Sequence, residues 1–332
     1  MDAIVYDSLG SAGVAALEVP SPASDAVLVK VAACGICHTD IDVLHGRYGN
    51  STFPLVPGHE YSGTVEAVGE AVSTVSVGER VVIDPNFSCG ECRACRRGLH
   101  NLCEKLGAYG VTTNGGFAEY GAVAAGNVHP IGEMPFGLAA LAEPLACVLN
   151  GVAQIETDGA NEALVFGAGP IGLLMALALR DAGVPSVSVV DIDEARLPFV
   201  RSLGLNPILS PSRDLADRTR SIDVVVDATG VPRVVAGLLD YVANGGSVLL
   251  FGVCPPDSVV RLSPFDIFRR QIRLAGAHSL NHNIPDALEV LQRSGETMAR
   301  IISHELALPE ITPYLRKEES GGDFMKVQFR AL

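Results

Sequence analysis

The segment "VFGAGPIGLL" at residues 165–174 constrains the fold of this chain more than any other stretch of similar length. Its glycines, Gly167, Gly169 and Gly172, have the G-x-G-x-x-G spacing of a turn that joins a β-strand to a helix. The first glycine permits the tight turn, the second lets the backbone approach a pyrophosphate, and the third lets the helix pack closely on the strand. The motif therefore predicts a strand–turn–helix unit of a parallel sheet.

The residues that follow alternate between short apolar runs and segments of helical period. The apolar runs are "SVSVVDID", "IDVVVDATG" and "SVLLFGV", and the helical segments include "PIGLLMALALRDAG" and "VPRVVAGLLDYVANGG". Gly183, Gly204 and Gly245 are predicted to end three of the helices in the left-handed conformation. Pro198 predicts a short or bent second helix, with Asp193 as its N-cap. This alternation predicts a doubly wound α/β domain.

The chain before this region is rich in strands. From about residue 27 to 85, "AVLVKVAACG", "YSGTVEAVG" and "ERVVID" are short apolar runs between Gly and Pro. After about residue 275, "DALEVLQRSG" is predicted as one helix that ends at Gly295, and the remainder is too short for a core of its own. The predicted domains are a β-rich domain at 1–146, the α/β domain at 147–275 and a return segment at 276–332 that completes the first domain.

An acidic residue ends the second strand of the alternation. Asp191 follows Gly167 by 24 residues, where a carboxylate accepts both ribose hydroxyls of NAD. A 2′-phosphate would meet a like charge there, so NAD is favoured over NADP, and Arg196 would soften that repulsion. The alternative for Asp191 is a helix N-cap without a ligand. The predicted cofactor site consists of Asp191, Arg196 and the turn residues Gly167, Gly169, Pro170, Ile171 and Gly172.

The compartment predicted for the chain is the cytoplasm. No window approaches the ~18 unbroken apolar residues of a membrane span, and the start, "MDAIVYDSLG", has neither a basic nor a long apolar region. In a reducing compartment a cluster of cysteines binds metal more often than it forms disulfides.

Four of the eight cysteines form such a cluster, with the spacing C-x2-C-x2-C-x7-C. This spacing is typical of a tetrahedral Zn²⁺ site, in which each sulfur lies about 2.3 Å from the metal. Two disulfides and an iron–sulfur cluster are the alternatives, and the spacing alone does not exclude the cluster. Because no ligand position is left open, this zinc would be structural and would hold a lobe at 89–103 that has few hydrophobic residues. The predicted ligands are Cys89, Cys92, Cys95 and Cys103.

A second set of candidate ligands is dispersed. "CGICHTD" supplies Cys37, "VPGHE" supplies His59 and Glu60, and "LAEPLA" supplies Glu143. Sulfur, imidazole and carboxylate suit zinc, and three protein ligands with one open position make a catalytic site. The spacing of these residues is by itself weak evidence for a zinc site, because a histidine after Pro-Gly is more often a loop residue and Glu-Pro often starts a helix.

With these motifs in this order, the chain resembles the zinc-dependent medium-chain dehydrogenase/reductase superfamily over nearly its whole length. The segments "CGICHTD", "VPGHEYSGTVEAVG", the cysteine lobe, "GAGPIG" and "VVD" carry the resemblance. "AEPLAC" resembles the sorbitol and polyol dehydrogenase branch, which has Glu-Pro where the classical alcohol dehydrogenases have a third zinc-binding cysteine. The resemblance implies a GroES-like catalytic domain, split in sequence, with a Rossmann domain inserted near its end.

The same resemblance implies roles for the dispersed ligands. Cys37 and His59 would bind the catalytic zinc, with Glu60 as a direct ligand or in exchange with water. Glu143 would bind directly or through water, so the third direct ligand is left open between the two glutamates. Asp40 would steady a ligand from behind.

Three further residues would handle the proton. Thr39 matches the hydroxyl that passes the substrate proton toward solvent. His38 stands where some relatives have an arginine over the cofactor pyrophosphate, and Asp42 stands where many have the histidine that ends the relay. The relay is therefore predicted to end at Asp42, at His38 or at water.

These features predict the oxidation of a polyol-like secondary alcohol to a ketone, with hydride transfer to NAD and with one catalytic and one structural zinc per chain. A sugar, cyclitol or amino alcohol is the alternative substrate class on the same scaffold. The resemblance also implies a homodimer or homotetramer, with a contact expected at the Rossmann sheet edge around "VVRLSPF".

A non-catalytic zinc scaffold or nucleic-acid binder is the alternative from a different class, because the cysteine lobe also carries Arg93, Arg96 and Arg97. The composition opposes it. There are 24 Lys and Arg against 38 Asp and Glu, and the net charge of -14 would repel a phosphate backbone or an anionic membrane.

Overall fold

The computed structural model describes residues 1–48, 51–317 and 324–331. The chain divides into two compact units, Met1–Ala146 with Leu280–Leu332, and Cys147–Ser279. The chain returns to the first unit at Leu280, whereas residue 276, the predicted start of the return segment, is the last residue of a strand in the second unit. Within the described ranges, no helix has both the length and the apolar character needed to cross a membrane.

The first unit is β-rich, as the runs of Val, Ile and Tyr predict. Its longest strand, Ala26–Gly35, buries all but a few of its side chains, which places it at the centre of a sheet. The elements up to residue 152 are β1 (Asp2–Ser8), β2 (Ser11–Ala16), β3 (Ala26–Gly35), α1 (His38–Leu44), β4 (Glu60–Val68), β5 (Arg80–Ile83), β6 (Asn86–Phe87), β7 (Gly107–Ala108), β8 (Tyr120–Ala124), β9 (Val128–Pro130), α2 (Phe136–Ala140) and α3 (Ala142–Val152).

The second unit alternates strands and helices, which confirms the predicted α/β class. Its elements are β10 (Glu162–Phe166), α4 (Pro170–Asp181), β11 (Ser186–Asp191), α5 (Leu197–Ser202), β12 (Asn206–Leu209), α6 (Arg213–Ala216), β13 (Ile222–Asp227), α7 (Pro232–Gly237), β14 (Val242–Leu250), α8 (Pro264–Arg270) and β15 (Arg273–Gly276). All strand pairs are parallel, in the order β12-β11-β10-β13-β14-β15. The order reverses between β10 and β13, and ligands of open α/β sheets bind at such a reversal.

The return segment adds two strands to the sheet of the first unit. Its elements are α9 (Ile284–Ala299), β16 (Ile302–Leu306), α10 (Leu308–Leu315) and β17 (Lys326–Arg330). The sheet has the order β16-β17-β3-β4-β5-β9, and β8 also pairs with β3. Strand β17 pairs antiparallel with β3, so residues almost 300 positions apart become neighbours.

Two of the predicted helix ends are confirmed. Gly183 and Gly204 follow α4 and α5 with φ of +95° and +74°. Asp193 caps a short 3-10 helix with its side chain, and Pro198 lies in the first turn of α5, which is only six residues long. Pro198 therefore costs no internal helical hydrogen bond.

Two other predicted helix ends are wrong. Gly245 has φ +79° but lies inside β14, because the preceding helix α7 already stops at Gly237. Its left-handed backbone accommodates a register shift between β13 and β14. Gly295 lies within α9, where a Cβ would approach a methyl group of Leu138 to 2.8 Å, so this glycine serves the packing of α9 on α2.

Candidate active site

The turn between β3 and α1 places Cys37 at the start of a short helix. Cys37 is the N-cap of α1, in an extended conformation with φ -114° and ψ 155°, and its backbone N–H donates to Asp40 Oδ2 at 2.9 Å. The other oxygen, Asp40 Oδ1, accepts from the backbone N–H of Gly58 at 3.2 Å. One buried carboxylate thus joins the loop that carries Cys37 to the loop that carries His59.

The structure brings three of the dispersed candidate ligands together. The ligand atoms of Cys37, His59 and Glu60 lie within 4.8 Å of one another. His59 Nδ1 lies 3.2 Å from Asp40 Oδ1, an arrangement that leaves Nε2 for a metal. Burial opposes a charge on His59, but Asp40 and then Cys37 raise its pKa well above the ordinary value. Anionic groups gathered around a buried point suit a cation, and this set of sulfur, imidazole and carboxylate suits zinc.

Glu60 has a partner that the sequence did not indicate. Its Oε1 lies 2.5 Å from Lys326 Nζ, and its Oε2 contacts the same ammonium group. Lys326 Nζ also donates to the backbone carbonyl of Ile36 at 2.9 Å. Burial raises the pKa of Glu60, and Lys326 and then His59 counteract that rise. Glu60 and Lys326 are both buried, so the two charges form an internal ion pair.

Glu143, the other candidate carboxylate, is buried in the first turn of α3. It lies outside the group formed by Cys37, His59 and Glu60. Burial opposes the charge on Lys326, but Glu60, Cys37 and Glu143 raise the pKa of that lysine above its ordinary value. Both carboxylates that the sequence left as alternatives are therefore close enough to act on one lysine.

The three residues predicted for the proton relay all lie on α1. Thr39 and Asp42 are half-buried, whereas the side chain of His38 is 67% exposed. Asp42 Oδ1 lies 3.6 Å from His38 Nε2 and 2.9 Å from Arg47 Nη2. The Asp42 carboxylate is thus already engaged by Arg47, a residue that sequence reasoning missed.

The cysteine lobe forms a cage of four sulfurs. The Sγ–Sγ distances are 4.0 Å for Cys89–Cys95, 3.4 Å for Cys92–Cys95 and 3.5 Å for Cys103–Cys89. A tetrahedral zinc–thiolate site, with Zn–S about 2.3 Å, has edges of about 3.8 Å. All eight cysteines are free thiols in the structure, which disfavours the alternative of two disulfides. The cage fits a single ion, whereas a cluster of several irons needs more widely spaced thiolates.

Backbone N–H groups prepare these sulfurs for a metal. The N–H groups of Cys95 and Lys105 donate to the sulfurs of Cys92 and Cys103 at 3.5 and 3.2 Å. The N–H of Cys95 is the main cause that lowers the pKa of Cys92 to about 6. The backbone N–H of Cys89 likewise lowers the pKa of Cys103, while burial raises that of Cys95 to about 11. Thiolates are the form that zinc binds.

A segment far away in the sequence holds the lobe in place. Asn281 Oδ1 accepts from the backbone N–H of His100 at 2.9 Å, and its Nδ2 donates to the carbonyl of Gly98 at 2.9 Å. The ring of His282 lies 4.9 Å from the ring of His100, and its Nδ1 lies 3.0 Å from Asp84 Oδ2. Sequence reasoning missed this anchor, because nothing in "NHN" at 281–283 marks it as the partner of a lobe 180 residues earlier.

The turn between β10 and α4 has the geometry that its glycines predict. Gly167 has φ +105°, and a Cβ on Gly172 would lie 1.9 Å from the carbonyl oxygen of Gly167. Gly169 is the N-cap of the twelve-residue helix α4, which begins with Pro170 and Ile171. The unpaired N–H groups of this helix start favour a bound anion.

Asp191 lies at the end of β11, next to this turn. Its Oδ2 accepts from the backbone N–H of Ala168 at 2.7 Å, and its Oδ1 accepts from that of Asp193 at 2.9 Å. Arg196 Nη1 lies 3.8 Å from Asp191 Oδ2 and is the nearest atom, at 3.9 Å, to a Cβ built on Gly169. The structure thus brings Asp191, Arg196 and the glycine turn together, and it leaves open space at Gly169.

Sequence reasoning missed a second loop beside the glycine turn. At the end of β13, Asp227 accepts from the backbone N–H groups of Thr229 and Gly230 at 3.0 and 3.1 Å. Thr229 Cγ2 lies 3.1 Å from a Cβ built on Gly167, so the loop lines the point where the strand order reverses. The signal was available in "VVVDATG", where a polar Asp follows a fully apolar strand.

Two family profiles match the chain. The profile of the alcohol dehydrogenase GroES-like domain matches residues 23–133, and that of zinc-binding dehydrogenases matches residues 170–293. The first covers Cys37, His59 and the cysteine lobe, and the second begins inside the glycine turn.

Individual relatives match over the full length. D-altritol 5-dehydrogenase of Agrobacterium fabrum is 51% identical over 335 aligned residues, which cover 100% of both chains. D-arabinitol dehydrogenase 1 of Uromyces fabae is 34% identical and covers 96% of this chain and 94% of its own. The crystal structure of a zinc-binding dehydrogenase from Sinorhizobium meliloti, bound to NADP, has a TM-score of 0.93 and 31% identity over 99% of each chain.

Proposed function

Because the chain belongs to the zinc-binding medium-chain dehydrogenases with a GroES-like domain, as its motifs predict, we propose that it oxidises a secondary hydroxyl group of a polyol to a ketone, with NAD as the hydride acceptor. The observation that carries this proposal is the buried group of Cys37, His59 and Glu60, together with a second buried carboxylate, Glu143, that acts on the same lysine as Glu60. The polyol class is supported by the two relatives named for D-altritol and D-arabinitol.

In this reaction, different residues of the chain would bind zinc and transfer the proton. Cys37, His59 and a glutamate would hold zinc, and Asp40 would fix the ring of His59. When bound, zinc would act as a Lewis acid on the alcohol oxygen, and NAD would accept hydride from the carbinol carbon. Thr39 would take the hydroxyl proton, so that alcohol yields ketone, hydride and proton.

The proton would leave the site along α1. Asp42 is occupied by Arg47 at 2.9 Å, which favours His38 or water over Asp42 as the acceptor beyond Thr39. His38 is the most exposed of these side chains and so has direct access to solvent.

NAD would bind at the glycine turn, with its pyrophosphate at the start of α4 and its ribose at Asp191. The proposal favours NAD although the Sinorhizobium meliloti structure contains NADP, because the Asp191 carboxylate beside the glycine turn would repel a 2′-phosphate on the ribose. We expect kcat/KM for NAD to exceed that for NADP at least about tenfold, which corresponds to about 1.4 kcal/mol of repulsion. Equal values would overturn the assignment.

A matched pair of glycine variants tests the turn. Gly169→Ala adds a methyl group that contacts nothing closer than 3.9 Å, so we expect only the cost of a poorer N-cap, at most about 1 kcal/mol in the free energy of unfolding, but NADH binding weakened at least about tenfold. Gly172→Ala forces a Cβ to 1.9 Å from a carbonyl oxygen, so we expect a loss of about 1–3 kcal/mol in the free energy of unfolding. Denaturant unfolding and NADH fluorescence titration measure the two effects. Unchanged NADH affinity in Gly169→Ala would contradict the proposed site.

We propose further that the protein forms a homodimer or homotetramer through the edge of the second unit's sheet. Strand β15 ends this sheet, and on the neighbouring helix α8 Phe265 and Phe268 are 71% and 79% exposed. An exposed apolar surface beside an open strand edge is typical of an interface.

Light scattering tests the assembly. We expect the mass of two or four chains, and a lower mass for Phe265→Asp/Phe268→Asp. Val77→Asp, which changes an exposed apolar residue of the first unit, should leave the mass unchanged. A monomeric unsubstituted protein would contradict the proposed assembly but would not affect the proposal that the protein oxidises a polyol.

The substrate class is tested by a screen of NAD reduction over D-altritol, D-arabinitol, other polyols, cyclitols, sugars, amino alcohols and simple secondary alcohols, with the zinc content of the same sample measured. We expect the highest kcat/KM for a polyol. A cyclitol, sugar or amino alcohol that is preferred at least about tenfold would move the enzyme to the alternative substrate class, a difference of about 1.4 kcal/mol in transition-state binding.

A further inference from the structure

Glu60 and Lys326 form a buried ion pair beside the candidate zinc site. Both side chains are almost completely buried, and Lys326 bridges both oxygens of Glu60 and the carbonyl of Ile36, the residue before Cys37. The ammonium group of Lys326 compensates the negative charge of the Glu60 carboxylate, so the attraction of this carboxylate to a metal ion is weaker.

The sheet fixes this contact. Gly35 of β3 is the register partner of Glu60 on β4 and of Gln328 on β17. Lys326 precedes Gln328 by two residues, so its side chain lies on the same face of β17 and reaches across β3. A Cβ on Gly35 would lie 2.1 Å from Glu60 Oε2 and 2.9 Å from Lys326 Cε, so only glycine leaves the space in which the pair meets.

The charges around the candidate zinc site indicate what the ion pair of Glu60 and Lys326 does. The thiolate of Cys37 and the carboxylates of Glu60 and Glu143 carry three negative charges, against two positive charges on a zinc ion. Lys326 supplies a third positive charge, which balances the negative charges of Cys37, Glu60 and Glu143. Asp40 adds a further negative charge, which accepts hydrogen bonds from the backbone of Cys37 and Gly58.

We propose that Lys326 is a positioning residue that holds the Glu60 carboxylate back from direct zinc ligation, so that Glu143 is the third protein ligand and one ligand position stays open for substrate. This inference rests on the proposed zinc site. Without Lys326, the freed Glu60 joins Cys37, His59 and Glu143, and four protein ligands close the site as in a structural zinc site.

Cobalt substitution reports on the open position directly, without turnover. Co²⁺ replaces zinc, the spectrum of Cys37→Ala protein is subtracted to remove the lobe contribution, and azide is added as a small external ligand. In the unsubstituted protein azide shifts the Co²⁺ spectrum. In Lys326→Met we expect azide affinity to fall at least about tenfold and Co²⁺ affinity to rise by a similar factor, because Glu60 fills the open position.

The charge-matched double variant separates positioning from simple loss of charge. Lys326→Met/Glu60→Gln removes both members of the pair, so it keeps the net charge and should bind Co²⁺ and azide within about threefold of the unsubstituted protein, less than 0.7 kcal/mol. Lys326→Arg keeps a cation opposite Glu60 and should rescue the azide response. Lys30→Met, an exposed lysine of β3, is the control and should change nothing.

Two results would overturn the inference. Lys326→Met that binds azide as the unsubstituted protein does would show that Glu60 stays off the metal without the lysine. A double variant that loses Co²⁺ affinity at least about tenfold would show that Glu60 is itself a ligand; this variant decides the question even where Lys326→Met alone does not fold. Failure of the proposed function looks different, since the unsubstituted protein would then bind metal only in the cysteine lobe.

Discussion

Cys37→Ala should fold, retain one zinc per chain and oxidise alcohol at least about 10³-fold more slowly than the unsubstituted enzyme. The loss follows because a bound metal contributes several kcal/mol of charge stabilisation, and about 4 kcal/mol corresponds to three orders of magnitude in rate. The remaining zinc would be that of the lobe, whose four sulfurs are independent of Cys37. Metal analysis and the rate of NAD reduction on the same sample measure both effects.

Cys254→Ala is the matched control, because this half-buried thiol lies outside both sulfur sites. It should keep two zinc ions and its activity. Cys37→Ala protein that still contains two zinc ions, or that keeps its turnover, would remove Cys37 from the proposed site. NADH binding should survive in both variants, since the glycine turn is intact.

The second large effect is expected in the cysteine lobe. In residues 89–103, all of which are described, the buried side chains are Cys95, Asn101 and Cys103, and Leu102 is 51% exposed. The lobe thus has no apolar core, and structural zinc contributes on the order of 10 kcal/mol to folding in such small sites. Cys95→Ala should therefore lose this zinc and unfold the lobe locally.

Limited trypsin digestion detects that unfolding, because the lobe carries three exposed arginines, Arg93, Arg96 and Arg97. We expect cleavage there to accelerate at least about tenfold in Cys95→Ala. A decrease of about 1.4 kcal/mol in the free energy of local unfolding of the lobe is enough to produce this factor. Unsubstituted protein treated with a strong chelator should behave in the same way. Cys37→Ala keeps the lobe zinc and should stay resistant, so equal cleavage of both variants would contradict the division into two zinc sites.

The second unit was the easiest part to predict. Its strands and helices have short-range periodicity, and the glycine turn needs specific backbone angles that only a few sequences supply. Gly167 and Gly172 accordingly have the conformations and close approaches that the spacing indicates. Pro198 was equally informative, because the first turn is the part of a helix in which proline costs no hydrogen bond.

Glycine elsewhere was less informative. Gly245 and Gly295 were both interpreted as helix ends, yet Gly245 lies in a strand and Gly295 lies inside a helix that continues to Ala299. A glycine marks either a left-handed backbone or a close approach of two elements, and sequence alone does not separate the two. For Gly295 the approach of Leu138, more than 150 residues earlier, decides the matter.

The partners of the candidate zinc ligands were the hardest part to predict. Lys326 in "MKVQFR" alternates with apolar residues, a pattern that indicates a solvent-facing lysine as readily as a buried one. Its contact with Glu60 depends on the register of β17, β3 and β4, which brings together residues 266 positions apart. Asn281 is a similar case, because its role depends on a lobe that the sequence places far away.

The most direct test of the central claim, that turnover requires the zinc held by Cys37 and His59 and not the zinc of the lobe, is a chelator titration of the unsubstituted enzyme. Zinc per chain, polyol-dependent NAD reduction and NADH binding are measured at each step. We expect activity to disappear with the first zinc that leaves, because the site with an open position releases metal before a closed set of four thiolates. NADH binding should persist, and zinc addition should restore activity. Full activity in protein that retains only the lobe zinc would contradict the claim.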